Sequence, residues 1–219
     1  MGISNTIPPS RLIQPGVCTS STRPTSPFEG QMIYETDTDV LAIWNGTAWR
    51  IIGAATATSG SVLQIQSTTL ATIWSSNVVS GGIADITGLS ASITPKSTSS
   101  KVLVTVNMNG MVDVSGSYRP FFAAQLKRGG TAIGGGTVAG SRTSINASGG
   151  YTPLPDVNAN ISFSYMDSPS TTSSTTYQVA AFNAFGATYN LTVNQFAGDS
   201  NAATTGRLSS TITLMEVAG

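Results

Sequence analysis

Three acidic side chains alternate along one short segment, at Glu35, Asp37 and Asp39, in the spacing of the first ligands of a calcium-binding loop. Such a loop requires glycine at its sixth position for a sharp turn and glutamate at its twelfth position as a bidentate ligand. Here those two positions hold Val40 and Gly46. The sequence therefore predicts a turn between strands at this segment and no metal site.

The remaining inventory of reactive side chains is poor. The chain has no histidine, so neither a Ser-His-Asp nor a Cys-His site can form, and its one cysteine, Cys18, has no histidine to activate it. A glycoside hydrolase needs only two carboxylates, and the candidates near predicted strand ends or turns are Asp85, Asp113, Asp156, Asp167 and Asp199. Aspartate is common in turns because its side chain hydrogen-bonds the local backbone. We therefore expect no catalytic residue and no cofactor.

The composition indicates an all-β protein that does not bind nucleic acid. Charged residues make up only 9% of the chain, and ten basic residues balance ten acidic ones, which leaves no basic footprint for nucleic acid. No apolar stretch approaches the roughly 18 residues that span a bilayer, so we expect no membrane insertion. The abundant Ser, Thr, Asn and Gly suit strand surfaces and tight turns.

The element that would position an interaction site is a three-stranded meander over residues 31–52. Strands are predicted at Gln31–Glu35, Val40–Trp44 and Thr47–Ile52, with a four-residue turn at residues 36–39 and a type I′ turn at Asn45-Gly46. So small a sheet is marginal on its own. We therefore predict that it packs against another protein surface, through an anchoring or subunit interface of Phe28, Ile33, Tyr34, Trp44 and Trp49.

The segments on either side of the meander lack strand patterns. Residues 1–30 contain five prolines among small polar residues and predict an extended arm, which is either a disordered tail or a segment that orders along a partner. Residues 53–60 are small and uncharged and predict a linker.

Residues 61–219 predict an antiparallel β-sandwich, or jelly-roll-like domain. Short strand patterns follow one another, among them Leu70–Trp74, Ile83–Ile86 and Ser90–Thr94, with turns marked by Gly88 and by the hairpin signal Gly129-Gly130. Val102, Val104 and Val106 alternate with Leu103, Thr105 and Asn107, which is typical of a strand with one buried face.

One long segment, residues 134–155, is rich in Gly, Ser and Asn and has few large apolar residues. Loops of this length in compact domains are usually functional or mobile. We predict two alternatives, a receptor-binding loop in which Arg142, Asn146 and Tyr151 take part, or a mobile surface loop. Tyr151 could stack on a sugar ring of a host glycan.

Two sets of motifs carry a resemblance. RPTSPFEGQMIYETDTD at residues 23–39, followed by WNGTAW at residues 44–49, resembles a module of fibre or appendage proteins in tailed-phage virions. SVLQI, ITGLSASITP, SSKVLV, LKRGGTAI and STITLMEV, which begin at residues 61, 86, 99, 126 and 210, are similar to a β-sandwich domain that recurs in phage proteins. The resemblance implies a homotrimer in a virion that is assembled in the bacterial cytoplasm.

These observations lead to one main functional hypothesis and two alternatives. The main hypothesis is a non-enzymatic short trimeric fibre or appendage, attached to other virion proteins by residues 1–52, with the sandwich exposed to a host surface. The first alternative is a capsid decoration or cement protein, which would be present at nearly the abundance of the capsid protein. The second is a polysaccharide depolymerase, which would release reducing sugar from host capsule.

Overall fold

The computed structural model describes residues 15–52, 58–114, 117–119, 123–149, 158–196 and 199–219. The chain divides into two compact units, Met1–Thr56 and Ala57–Gly219. Within the described residues all regular structure is β-strand and none is helix, so the predicted all-β fold is confirmed. Residues 1–14 of the predicted arm, residues 53–57 of the predicted linker, and Tyr151 lie outside the described residues.

The first unit is built around one four-stranded sheet, in the order β1 (Gly16–Cys18), β2 (Met32–Glu35), β3 (Val40–Trp44) and β4 (Trp49–Ile52). Strands β2, β3 and β4 form the predicted antiparallel meander. Strand β1 pairs in parallel with β2, inside the segment predicted to be an extended arm. The flanking prolines, Pro15 and Pro24, leave the amides of β1 intact, so this short stretch can still form a strand.

The hairpin loop between β3 and β4 differs from the type I′ turn predicted at Asn45-Gly46. Trp44 pairs with Trp49 across a four-residue loop. A type I′ turn needs a positive φ at both Asn45 and Gly46, but of these two residues only Gly46 has one, at 92°. The Asn45 Oδ1 atom accepts a hydrogen bond from the Ala48 amide at 2.8 Å. The prediction is wrong because the asparagine shapes this loop with its side chain and not with a left-handed backbone.

The second unit is a sandwich of two sheets whose strands pair antiparallel. The larger sheet contains β5 (Val62–Leu70), β6 (Trp74–Val78), β8 (Lys101–Val114), β9 (Ser117–Arg119), β13 (Ala159–Asp167), β15 (Tyr189–Val193) and β16 (Ser210–Val217). The smaller sheet contains β7 (Ile83–Ile93), β10 (Ala123–Arg128), β11 (Thr131–Ile133), β12 (Ala147–Ser148) and β14 (Thr175–Phe182). The hairpin predicted at Gly129-Gly130 is confirmed, because both glycines have positive φ between β10 and β11.

The long strand β8 organises the larger sheet. Residues 102–107 pair with β16 on one edge and with β13 on the other, while residues 110–113 pair with β15. Its predicted alternation is confirmed, since Val102, Val104 and Val106 are fully buried. They form one core with side chains of both sheets, including Ile86, Leu89, Leu126, Tyr177, Val179, Leu191, Ile212 and Leu214. Full burial of each such side chain contributes about 1.5 to 3 kcal/mol.

Strand β7 covers two strands that the sequence predicts separately, at Ile83–Ile86 and Ser90–Thr94. They join through a bulge in which Gly88 has a φ of 88° and residues 86–89 stand opposite Val179. The Gln178 Nε2 atom donates to the Ile86 carbonyl at 2.7 Å and to the Leu89 carbonyl at 3.2 Å. The glutamine side chain therefore replaces the ladder hydrogen bonds that the bulge interrupts.

Two buried asparagine side chains hold connections of the sandwich. Asn194, at a φ of 64°, donates through Nδ2 to the Leu70 carbonyl at 2.7 Å and to the Thr72 carbonyl at 3.1 Å. The strand predicted at Leu70–Trp74 is wrong, because this segment is the connection between β5 and β6. Asn183 similarly donates to the carbonyls of Val78 and Ala187. These amides satisfy backbone carbonyls at the ends of β5 and β6 and in the adjoining connections.

A buried carboxylate, Glu216, ties the last strand to the connection before β8. Its Oε2 accepts from the Gln64 side chain at 2.6 Å, and its Oε1 accepts from the Lys96 backbone amide at 2.6 Å. Burial alone would raise the pKa of Glu216, but these hydrogen bonds outweigh it and hold the pKa below its ordinary value. The side chain is therefore a charged acceptor that fixes this end of the sandwich.

Candidate interaction surface

The pairing register of the first sheet divides its side chains between two faces. Ile33 pairs with Ala42, and Trp44 pairs with Trp49. Since alternate residues of a strand point to opposite sides, these four residues and Glu35 lie on one face. The other face is formed by alternate residues, Val17, Met32, Tyr34, Leu41, Ile43, Arg50 and Ile52.

The centre of the first face is covered within the unit, while Ile51, which pairs with Ala42 at its edge, is 44% exposed. Ile33, Glu35 and Ala42 are each no more than 1% exposed. Arg23, from the segment before β2, donates through Nε to the Glu35 carboxylate, and Thr38 donates to the same carboxylate at 2.8 Å. The hydrogen bond from Arg23 is the main cause that holds the pKa of Glu35 below its ordinary value, against the opposing effect of burial. This face is therefore the small core of the unit.

The two tryptophans of the predicted interface lie at one end of that covered face. The rings of Trp44 and Trp49 pack edge to face, with centroids 5.6 Å apart and planes inclined by 62°. Both side chains are half-buried. Phe28 is 69% exposed, in a turn where the Gln31 amide donates to its carbonyl at 3.0 Å. Of the predicted interface residues, Ile33 is thus buried inside the unit and Phe28 projects from it.

The second face of the sheet is open and mainly apolar. Val17 is 72% exposed and Ile52 is 44% exposed, while Met32, Leu41 and Ile43 between them are half-buried. Arg50 is the one charged side chain of this face in the described residues. We call these residues, together with Tyr34, the open apolar face. Such a contiguous patch typically marks a protein interaction site.

Tyr34 belongs to the open apolar face and is the one aromatic residue on it. Its hydroxyl donates to the Asp39 carboxylate at 2.7 Å. This hydrogen bond raises the pKa of Tyr34, with a further contribution from the negative charge of Asp39. The tyrosine ring is therefore held over the face in one orientation, with its polar end already satisfied at the rim.

The alternating carboxylates at the β2–β3 turn have separate partners. Glu35 binds Arg23, Asp37 accepts from the Ser20 amide and hydroxyl at 2.8 and 2.6 Å, and Asp39 accepts from Tyr34. Among the described residues no group of three His, Cys, Asp or Glu side chains could hold a metal ion. These carboxylates organise the turn and the segment that precedes the sheet.

Three of the five aspartates considered for glycoside hydrolysis have structural partners. Asp85 forms an ion pair with Lys127, Asp167 with Arg128, and Asp199 with Arg207. Asp167 also accepts from the buried Tyr177 hydroxyl at 2.6 Å. Burial is the main cause that raises the pKa of Tyr177, and this hydrogen bond adds to it. Asp156 and the side chain of Asp113 lie outside the described part of the structure.

The predicted receptor loop is ordered in part by its own hydrogen bonds. Asn146 accepts from the Leu126 amide at 2.7 Å and donates to the Ile133 carbonyl at 3.0 Å, so its amide joins β10 to the loop. Arg142 is exposed, and its Nη1 donates to the Ala139 carbonyl at 3.1 Å. The structure thus gives Asn146 a structural role and leaves Arg142 on the surface of a local turn.

Sequence reasoning selected the aromatic residues of the first sheet and missed the aliphatic residues of its open face. A signal for them is present in β3, VLAIW, which is apolar at all five positions. A strand with one buried face alternates apolar and polar residues, whereas a continuous apolar run indicates that both faces are apolar. Met32 and Tyr34, which lie between Gln31, Ile33 and Glu35, extend that signal to β2.

In the described part of the chain no helix is long and apolar enough to cross a membrane.

Comparisons with known proteins do not assign this chain to a family. No protein-family model matches the chain, and no curated protein sequence matches it.

Proposed function

We propose that this chain is a non-enzymatic structural protein of a tailed-phage virion, a short trimeric fibre or appendage. Residues 1–52 attach it to other virion proteins, and the sandwich is exposed for binding to a host surface. The observation that carries the proposal is the open apolar face of the first sheet, in a chain whose motifs resemble phage appendage proteins.

The open apolar face supports an anchoring role for the first unit. Tyr34, Leu41 and Ile43 are already partly ordered by the sheet, so a partner that covers them gains apolar burial at little conformational cost. Val17 and Ile52 are the most exposed apolar residues of this face and would lose the largest share of their contact with water. A large exposed apolar patch is an aggregation liability for a free monomer, and permanent docking removes it.

The sandwich supports a binding role without catalysis. Asp85, Asp167 and Asp199 are engaged in ion pairs with Lys127, Arg128 and Arg207, respectively. The end of the sandwich that contains Arg142 and Asn146 presents polar groups on short turns. Such groups suit many weak contacts to a glycan or another host receptor.

The proposal is tested on virions of the phage that encodes this chain. Antibodies against the purified protein, visualised with gold particles by electron microscopy, are expected to label a tail, baseplate or neck structure. Quantitative mass spectrometry of the same virions is expected to find a few to some dozens of copies. A copy number near that of the capsid protein would indicate a decoration protein, and virions without the protein would refute a structural role.

A further inference from the structure

One half of the larger sheet, formed by β5, β16, β8 and β13, has an outer face with a row of apolar side chains across it. The pairing register aligns Ile65 with Met215, Met215 with Leu103, and Leu103 with Met166. These residues point away from the core, because Val102 and the other residues of β8 that alternate with them are buried. Ile65 is 55% exposed and Met166 is 44% exposed.

The neighbouring rows of this outer face contain short uncharged polar side chains. The next row along the strands is Ser67, Thr213, Thr105 and Ser164, and the row after it is Thr69, Thr211, Asn107 and Ser162. None of these residues is charged, and Lys101, two residues before Leu103 at the end of β8, lies one row beyond the apolar row. We call the three rows the uncharged sheet face.

The outer face of the smaller sheet has a different character. Lys127 and Asp85 form an ion pair there at 2.6 Å, across β14. Asp85 keeps 56% of its side chain exposed, as expected for a surface in water. The two outer faces therefore differ, and the uncharged sheet face is the one suited to burial against another surface.

Several polar groups of the uncharged sheet face already have partners within it or in the next row. Asn160 Nδ2, in the row that follows Asn107, donates to the Oδ1 atoms of Asn107 and Asn109 at 3.1 and 3.2 Å. The hydroxyls of Ser67 and Thr213 are 3.0 Å apart and share a hydrogen bond. Burial of a polar group is costly mainly when it loses its hydrogen bonds. This face can therefore be removed from water at low cost.

The uncharged sheet face supplies about half of the area that a specific interface needs. Its three rows extend about 20 Å along four strands that lie about 4.8 Å apart, which gives a flat area of roughly 400 Å² before side-chain relief is counted. A stable interface buries about 800 Å² on each partner. A contact centred on this face therefore has to extend past the three rows onto neighbouring parts of each partner.

We infer that the uncharged sheet face packs against a second copy of this chain. A partner for this face must itself lack charges at the contact, and this chain offers such a surface, with 9% charged residues overall. In a symmetric assembly the Met166 side chain of each copy lies in or beside the contact. The number of copies, three, comes from the proposed function, and the inference rests on that proposal in this respect.

The test uses the full chain and light scattering coupled to size-exclusion chromatography. Met166→Lys and Ser164→Lys place an ammonium group on the uncharged sheet face at exposed positions, where the sandwich can tolerate it. Ser92→Lys places the same charge on the outer face of the smaller sheet and is the matched control. An unpaired charge buried in an interface is strongly unfavourable. Circular dichroism verifies that each variant is folded.

We expect wild type and Ser92→Lys to have the same oligomeric mass. Met166→Lys and Ser164→Lys are expected to require at least a tenfold higher concentration for half-maximal assembly. A trimeric wild type whose mass both variants retain would overturn this inference and leave the proposed function intact. A wild type that is a dimer, dissociated by Met166→Lys, would support the surface and contradict the trimeric appendage. A monomeric wild type would contradict both.

Discussion

Replacement of Asn194 by alanine should destabilise the sandwich more than most single substitutions. Asn194 is 1% exposed, and its side chain donates to the carbonyls of Leu70 and Thr72 and accepts from the Ser210 hydroxyl at 2.6 Å. Alanine leaves two buried polar groups and one partly buried carbonyl, that of Thr72, without this partner, at about 1 kcal/mol each. It must also adopt the φ of 64°, which costs about 1 kcal/mol for a residue other than glycine or asparagine.

The expected loss for Asn194→Ala is therefore about 4 kcal/mol of the unfolding free energy, out of about 5 to 15 kcal/mol for a typical domain. Urea denaturation followed by fluorescence measures it, in a background with Trp44→Phe and Trp49→Phe so that Trp74 reports on the sandwich alone. Asn77→Ala, at an exposed position of β6, is the control and should change stability by less than about 0.5 kcal/mol. A loss below about 1 kcal/mol for Asn194→Ala would refute the role assigned to this amide.

Two further predictions concern the same unit. The pKa of Glu216 is lowered in the folded state, so its contribution to stability is present above its unfolded pKa of about 4.3 and is lost as the pH falls through the folded pKa. Glu216→Gln should accordingly reduce the decline of the unfolding free energy between about pH 5 and pH 3, and an unchanged acid profile would contradict this. Gly134→Ala should lower the melting temperature, because the added methyl group would lie 2.6 Å from the Tyr165 ring and the backbone φ of 67° disfavours alanine. Gly136→Ala is the control, since its methyl group would meet no atom within 4 Å, and it should leave the melting temperature unchanged. Equal melting temperatures for these two glycine variants would refute the packing described around Tyr165.

The elements that could be predicted from the sequence are those with a local signal. The alternation of Val102, Val104 and Val106 identified the buried face of β8, and Gly129-Gly130 identified a hairpin, because both depend only on neighbouring residues. At Gly88 the local signal indicated a turn, but the Gln178 side chain, which is distant in sequence, holds the segment as a bulge within one strand. Non-local contacts of this kind cannot be inferred from spacing.

The interaction surfaces were harder to predict for the same reason. Tyr34, Trp44 and Trp49 were grouped by residue type, yet the register of the sheet places Tyr34 on the open apolar face and the two tryptophans on the covered face. Asn146 was selected as a polar loop residue, whereas its amide joins the loop to β10. The apolar row from Ile65 to Met166 comes from four strands far apart in the chain, and only the strand order brings it together.

The native mass of the full chain in solution tests the central claim most directly. Light scattering on purified protein at micromolar concentration should give three times the 22.4 kDa of one chain. Leu41→Lys on the open apolar face, compared with Thr47→Lys in the exposed loop beside it, then reports whether that face contributes to assembly. A wild-type mass of 22.4 kDa that persists as the concentration is raised would contradict the trimeric appendage proposed for this chain.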